Sequence, residues 1–262
     1  MADPSALPAV SIARLTHRYP GERRAVLDID ALEIRNGARV GLIGASGAGK
    51  TTLLRLIDGR LRGWTGAVSV LGHPLHPRRP PPRHRRCESG FVFQEFALVE
   101  PATVYQNVLN GRLGRAHAVR SLVGRFRPED EAAAERAMRD VGIAELASRR
   151  ADRLSGGQRQ RVAIARVLAQ DPRLILADEP ISNLDPVNAE AILELLCDLA
   201  RKRGATLLLS SHQPRIVAPY VDRFVALDEG RVVFDGPPDT LHDKRLAAIY
   251  AAERAEEGEA AA

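Results

Sequence analysis

Residues 44–52 read GASGAGKTT, with Gly44, Gly49, Lys50 and Thr51 at the spacing of a phosphate-binding loop. The apolar run GARVGLIG (37–44) leads into it, and TTLLRLIDGRL, with Leu53, Leu54 and Ile57 on one helical face, leads out. Strand, loop and helix in that order are the context such a loop requires. Its glycines let successive backbone N–H groups turn toward phosphate oxygens, and the helix offers its positive end to the same anion. Gly44, Ala45, Ser46, Gly47, Ala48, Gly49, Lys50, Thr51 and Thr52 therefore form a candidate nucleotide cradle. Lys50 can reach the β- and γ-phosphates, and the Thr51 hydroxyl can ligate Mg²⁺. An ordinary glycine-rich turn would need neither the lysine nor the hydroxyl.

A second glycine-rich segment, LSGGQ at 154–158, precedes the helical run RQRVAIARVLAQ. Ser155 stands as an N-cap, which alone is worth about 1 kcal/mol. A cap does not need Gly156, Gly157 and Gln158, and the two glycines clear a path for backbone to approach an anion. RLILADEP (173–180) puts Asp178 and Glu179 just past a buried-strand candidate. Parallel strands expose ligands at their carboxyl ends, so Asp178 is the candidate Mg²⁺ partner and Glu179 the general base for water. Taken alone, the pair could equally solvate a turn.

Strands are expected at 10–16, 26–34, 66–71, 91–94 and 205–211, with a hairpin over 223–236 that turns at Asp228–Gly230. Residues 103–150 read as mostly helical, with a loop near 124–128. The segment GHPLHPRRPPPRHRR (72–86) cannot be a regular interior element, because proline removes donors and fixes φ. The acidic, small-residue end AAERAEEGEAAA is expected to be frayed. Alternating strands and helices give a parallel α/β core, interrupted by a helix-rich lobe from about 95 to 160. The domain is expected to span 10–250, with flexible tails at 1–9 and 251–262.

Composition excludes several other classes. No apolar run approaches the ~18 residues of a membrane helix, and the N-terminus lacks the pattern of a signal peptide. The net charge is +5, yet the chain holds only three lysines, Lys50, Lys202 and Lys244, so arginine bias explains the charge better than a nucleic-acid surface. The Pro/Arg-rich loop also lacks stacking aromatics. Cys87 and Cys197 form no CxxC pattern and read as free thiols.

Walker A (44–51), Gln94, LSGGQ, Walker B (174–179), SNLD (182–185) and His212 resemble, in order, the motifs of ABC transporter ATP-binding subunits. The resemblance covers nearly all of residues 10–250. It implies a P-loop NTPase (RecA-like) core with an antiparallel β subdomain and an inserted helical subdomain, an ATP- and Mg²⁺-dependent ATPase, and a head-to-tail dimer with a second copy. In that dimer LSGGQ of one copy faces the ATP on Walker A of the other. It also implies that Tyr19 stacks on adenine, that Gln94 contributes to the Mg²⁺ and catalytic site, and that His212 touches the γ-phosphate. Taken singly, Tyr19 reads equally well as a packing residue, and His212 as a structural one.

QNVLNGRLGR (106–115), SLVGRF (121–126), SHQ (211–213) and GRVVFDGPP (230–238) resemble the ATP-binding subunits of phosphonate importers. That narrower likeness implies permease partners, a periplasmic substrate-binding protein reached through the complex, no nucleic acid, and a place on the cytoplasmic face of the membrane. An importer subunit for phosphite, another oxyanion or amino acids, or a soluble ABC ATPase, are the alternatives.

Overall fold

The computed structural model describes residues 7–115, 126–182 and 184–251. Residues 1–6 and 252–262 of the expected tails, most of SLVGRF, and Asn183 of SNLD lie outside the described residues. The chain divides into two compact units, one of residues 1–81 with 206–262, the other of residues 82–205.

The first unit opens with β1 (Val10–His17), β2 (Leu27–Ile34), β3 (Arg39–Ile43), α1 (Lys50–Ile57), β4 (Trp64–Val70) and β5 (His73–Pro74). Strands β2, β1, β4 and β5 form an antiparallel sheet in that order. Inward-facing Val10, Ile12 and Leu15 of β1 are buried. The alternation skips a beat at Arg14, where the β1–β4 register shifts. Arg14 takes a left-handed φ of 49°, and a Cβ on the opposing Gly66 would lie 2.2 Å from its carbonyl oxygen. This bulge shows in VSIARLT as a phase slip, with Val10, Ile12 and Leu15 in place of strict alternation. Helix α1 ends at Ile57, earlier than the periodicity of TTLLRLIDGRL implies, and buries Leu53, Leu54, Leu56 and Ile57. The Pro-rich segment is not wholly irregular. It pairs briefly in β5 and ends in a one-turn helix, α2 (Arg83–Arg86), that buries nothing.

The second unit continues with β6 (Ser89–Val92), α3 (Val104–Leu109), α4 (Pro128–Asp140), α5 (Gly156–Ala169), β7 (Leu174–Ala177) and α6 (Pro186–Arg203). Strands β6 and β7 are parallel, with Val92 opposite Ala177. Residues 103–150 are less helical than their composition suggests. Helix α3 spans six residues and continues into a 3₁₀ turn at Asn110–Gly114, and two further 3₁₀ turns lie before α5. Capping boxes start α3 (Thr103 with Gln106) and α5 (Ser155 with Gln158). Pro128 and the acids Glu129, Asp130 and Glu131 open α4.

The carbonyl end of α5 wears a collar of arginines. Arg112 donates to Ala169 O at 3.0 Å, Arg115 to Gln170 O at 2.9 Å and Asp171 O at 3.1 Å, and Arg203 to Leu168 O at 2.9 Å. Helix ends leave such carbonyls unsatisfied and carry partial negative charge, so guanidinium groups suit them doubly. Arg112 is itself paired with buried Asp130 at 2.7 Å, and Arg203 with Asp140 at 2.8 Å. GRLGR is thus a packing device. Its arginines cap α5, a Cβ on Gly111 would lie 2.0 Å from Arg166 O, and one on Gly114 would lie 2.5 Å from the Cys87 sulfur. Gly111→Ala forces the helix backbone away and costs about 2–3 kcal/mol, a drop of roughly 4–12 °C in Tm for a chain of this size. Thermal unfolding that matches wild type would show that turn and helix do not pack this closely.

The chain returns to the first unit with β8 (Thr206–Ser211), α7 (Pro214–Val217), β9 (Arg223–Asp228), β10 (Arg231–Gly236) and α8 (Asp243–Ile249). β3 is flanked by β8 and β9, both parallel to it, and β10 pairs antiparallel with β9. Both central residues of the hairpin turn have positive φ, 44° at Glu229 and 78° at Gly230, which matches the twist of the flanking strands.

Candidate functional site

In the first unit the phosphate loop follows from the end of β3. Ile43 stands opposite Ser211 in the parallel pair, so the loop and His212 leave the sheet side by side at the carboxyl edge where ligands bind. Gly44, Gly47 and Gly49 have φ of 145°, 77° and 101°, values that exclude ordinary side chains. A Cβ would lie 2.2 Å from Leu227 O at Gly44 and 2.8 Å from Val26 O at Gly49, whereas at Gly47 it would meet nothing within 4 Å. The loop is therefore pressed against backbone at its two outer glycines and open at its exposed middle.

Lys50 is buried, and its ammonium donates to Gly44 O at 2.7 Å and Ala45 O at 2.8 Å. The ammonium lies folded onto the loop that a phosphate would enter. Gly230 N–H donates to Ala48 O at 3.1 Å, and Ala48 N–H to Ala45 O at 3.2 Å. Gly44 N–H donates to the Tyr250 hydroxyl at 3.2 Å. Tyr19 points its hydroxyl at Thr52 Oγ1, 3.4 Å away. Its ring is met edge-on by His17, with centroids 4.8 Å apart at 84°. His17 is buried, and burial pushes its pKa below the usual imidazole value against a weaker opposing effect of the Gly63 backbone. His212 is exposed, with Nε2 3.2 Å from Gln213 Nε2.

In the second unit Gln94, Asp178 and Glu179 emerge just past the carboxyl ends of neighbouring strands β6 and β7. Asp178 N–H donates to Val92 O at 2.9 Å, and its side chain is buried. Glu179 takes a left-handed φ of 45°. Its carbonyl accepts from Ser182 N at 3.3 Å and Ser182 Oγ at 3.1 Å, closing a tight turn. A non-glycine residue held in this region stores strain that functional positions often carry. Gln94 is exposed. Phe96 and Ala97, just after it, are also left-handed, with φ of 60° and 48°. Their carbonyls are gripped by the guanidinium of Arg166 from α5, at 2.8 Å to Phe96 O and by a shorter contact to Ala97 O.

At the other end of α5, Ser155 and Gly156 are exposed. Ser155 Oγ accepts from Gln158 N at 3.3 Å, and Gln158 Oε1 accepts from Ser155 N at 3.1 Å. Gly157 faces the start of α6, where a Cβ would come 3.5 Å from Asn188 Oδ1. Asp185 caps α6 by accepting from Asn188 N at 3.1 Å, and its bonds to Asn188 hold its carboxyl below the usual carboxylate range.

The cradle, Tyr19 and His212 thus belong to the first unit, and Gln94, Ser155, Asp178 and Glu179 to the second. Three residues were not reached by reading motifs. Tyr250 and His17 sit in no recognisable pattern. Arg166 is hidden in an amphipathic helix, where an arginine six residues after Gln160 carries no signal of its own. Among the described residues no trio of His, Cys, Asp or Glu forms a metal cage, and no helix is long and apolar enough to cross a membrane.

The family model described as ABC transporter matches residues 27–182. The phosphonates import ATP-binding protein PhnC of Thiobacillus denitrificans is 44% identical over 249 residues, covering 95% of each chain. Among solved structures, the ADP conformation of MJ1267, an ATP-binding cassette of an ABC transporter, aligns with a TM-score of 0.81 at 26% identity over 94% of this chain and 99% of that one. A dimeric post-hydrolysis state of the ATP-binding cassette MJ0796, bound to ADP and Pi, aligns with a TM-score of 0.75 at 28% identity over 87% and 98%. The chain belongs to the ABC transporter family. Its fold is that of the family's ATPase cassettes, a P-loop NTPase core with an antiparallel β subdomain and an inserted helical subdomain.

Proposed function

We propose that the chain is the ATP-hydrolysing subunit of an ABC importer for phosphonates, working as a head-to-tail dimer beneath membrane permease subunits that a periplasmic receptor supplies with substrate. The observation that carries the nucleotide half of this reading is the loop at 44–51, fixed against backbone on both sides, open in the middle, and holding a buried ammonium. The phosphonate half rests on likeness to the Thiobacillus protein along nearly the whole of both chains.

In this reading the loop amides and Lys50 hold the β- and γ-phosphates, and Tyr19 stacks on the adenine. Mg²⁺, when bound, would neutralise charge on the phosphates. The Thr51 hydroxyl of the first unit, and the Gln94 amide oxygen and Asp178 carboxylate of the second, are oxygen donors of the kind that would hold it. So small a protein donor set suits an ion that keeps waters and phosphates as its other ligands. Glu179 accepts the proton of the attacking water, and His212 contacts the γ-phosphate. Ser155, Gly156, Gly157 and Gln158, exposed or half-buried at the positive end of α5, bind the γ-phosphate held by the partner copy. That the MJ0796 cassette was solved as a dimer bound to ADP and Pi supports a dimer in this reading. Because ATP then touches both copies only when they are closed, its binding and loss shift the dimer between two states.

The cavity of about 420 Å³ beside the end of α5 is lined by Arg112, Arg115, Arg136 and Arg203 together with the acids Glu129 and Asp171. Three of the guanidiniums are engaged with helix carbonyls and the two carboxylates oppose an anion, so this reading places substrate recognition elsewhere in the importer. The test is the assembled transporter. ATPase activity is expected to rise when a receptor loaded with phosphonate is added, while the purified subunit binds no phosphonate. Stimulation by a loaded amino-acid receptor and none by the phosphonate receptor would assign the chain to another importer class.

A further inference from the structure

We propose that Tyr250 is a positioning residue for ATP, its hydroxyl fixing the entry of the phosphate loop. The inference rests on the ATP-binding reading of the loop given above. Gly44 is where β3 ends and the loop begins, and its φ of 145° is open only to glycine. Its N–H donates to the Tyr250 hydroxyl at 3.2 Å, across 206 residues of chain. The tyrosine directly follows α8, and that helix is well anchored. Ile249 is buried, the Arg245 guanidinium lies 5.3 Å from the centre of the Phe234 ring on β10, and Arg245 also donates to Val233 O at 2.8 Å. At its other end Asp243 accepts from Arg215 at 3.2 Å, on α7 and three residues past His212. Helix α8 thus ties the phosphate loop to β10, while its link to the segment that follows His212 is an exposed ion pair of little strength.

The consequence for binding follows from what Lys50 must do. Its ammonium braces the loop through Gly44 O and Ala45 O. An ammonium has three donors, so it can keep both carbonyls and still offer one to a phosphate, and the loop's own brace and its ligand contact then hang on one side chain. Two contacts from outside the loop hold it independently of Lys50. Gly230 N–H holds Ala48 O near the end of the loop, and Tyr250 holds the Gly44 amide at its start. A site of this kind works only when its donors are kept within about 0.5 Å of the productive geometry. The Tyr250 hydroxyl supplies part of that constraint without touching the nucleotide.

Tyr250→Phe keeps the ring and removes only the hydroxyl. Losing one neutral hydrogen bond that braces the bound state is expected to raise the Kd and KM for ATP about three- to tenfold. The kcat should stay within about twofold, because the reacting atoms are untouched, and the nucleotide-free Tm should stay within about 2 °C. A merely structural tyrosine would lower Tm and leave the ATP Kd alone, and that result would overturn the proposal. So would a kcat that falls tenfold at unchanged affinity. Lys50→Ala measured alongside separates the two levels. If it loses ATP while Tyr250→Phe binds as wild type, the positioning role fails alone. If Lys50→Ala keeps wild-type affinity, the ATP reading fails and takes the proposal with it.

Discussion

Glu179→Gln is expected to bind Mg-ATP as tightly as wild type and to hydrolyse it about 10²–10⁴-fold more slowly, the usual worth of a positioned general base. The substitution is well suited to the question. Glutamine matches the shape of glutamate and tolerates the same backbone position, and the turn is closed by the carbonyl of residue 179, not by its side chain. The strained geometry therefore survives, and only the capacity to accept a proton is lost. Asp178, which is buried and bonded through its own amide to Val92, keeps its place and the metal role proposed for it. The blocked enzyme should accumulate as an ATP-bound dimer, visible by light scattering. Turnover within about twofold of wild type would remove Glu179 from the chemistry.

Lys50→Ala is expected to weaken ATP binding about 100-fold or more. A charge-assisted hydrogen bond contributes roughly 1.5–3 kcal/mol, and each 1.4 kcal/mol is a factor of ten in affinity. Here the ammonium also sits where little solvent screens it, at 6% exposure. The variant removes the loop's own brace as well, leaving Gly44 O and Ala45 O without the donor they have now. Arginine would not substitute well, since its planar fork needs more room than a buried point charge occupies. Titration with a fluorescent nucleotide checks the result, and an affinity within about threefold of wild type would mean that the loop is not the nucleotide site.

Much of this architecture is legible in the chain. The runs expected as strands at 37–44, 66–71 and 205–211 are β3, β4 and β8 to within a few residues, and the loop at 44–51 could be placed because such a loop demands a strand before it and a helix after it. What stayed hidden depends on contacts distant in sequence. The spacing of Val10, Ile12 and Leu15 marks β1 as irregular, but the form of the bulge, with Gly66 pressed on the Arg14 carbonyl, needs the partner strand. The shortness of α3 reflects 3₁₀ geometry after Asn110, which composition does not encode. GRLGR was readable as a likeness, but its physical role needed the end of α5, more than fifty residues away. Tyr250 and Arg166 were missed for the same reason. One works through a hydroxyl on a loop amide and the other through a fork on two carbonyls, and backbone targets leave no complementary residue type to look for.

Helix α5 runs 14 residues, about 21 Å at 1.5 Å per residue. Ser155 stands at its tip, and Arg166 holds the loop after Gln94 near its base. Below that grip, Arg112, Arg115 and Arg203 clamp the last carbonyls. Residues 96–97 and Ser155 are thereby joined through one continuous piece of backbone, since both carbonyls are tied to the helix through a single guanidinium. Because the helix is buried along most of its length, a shift of that loop is expected to be shared with the whole helix and so to be felt at its tip.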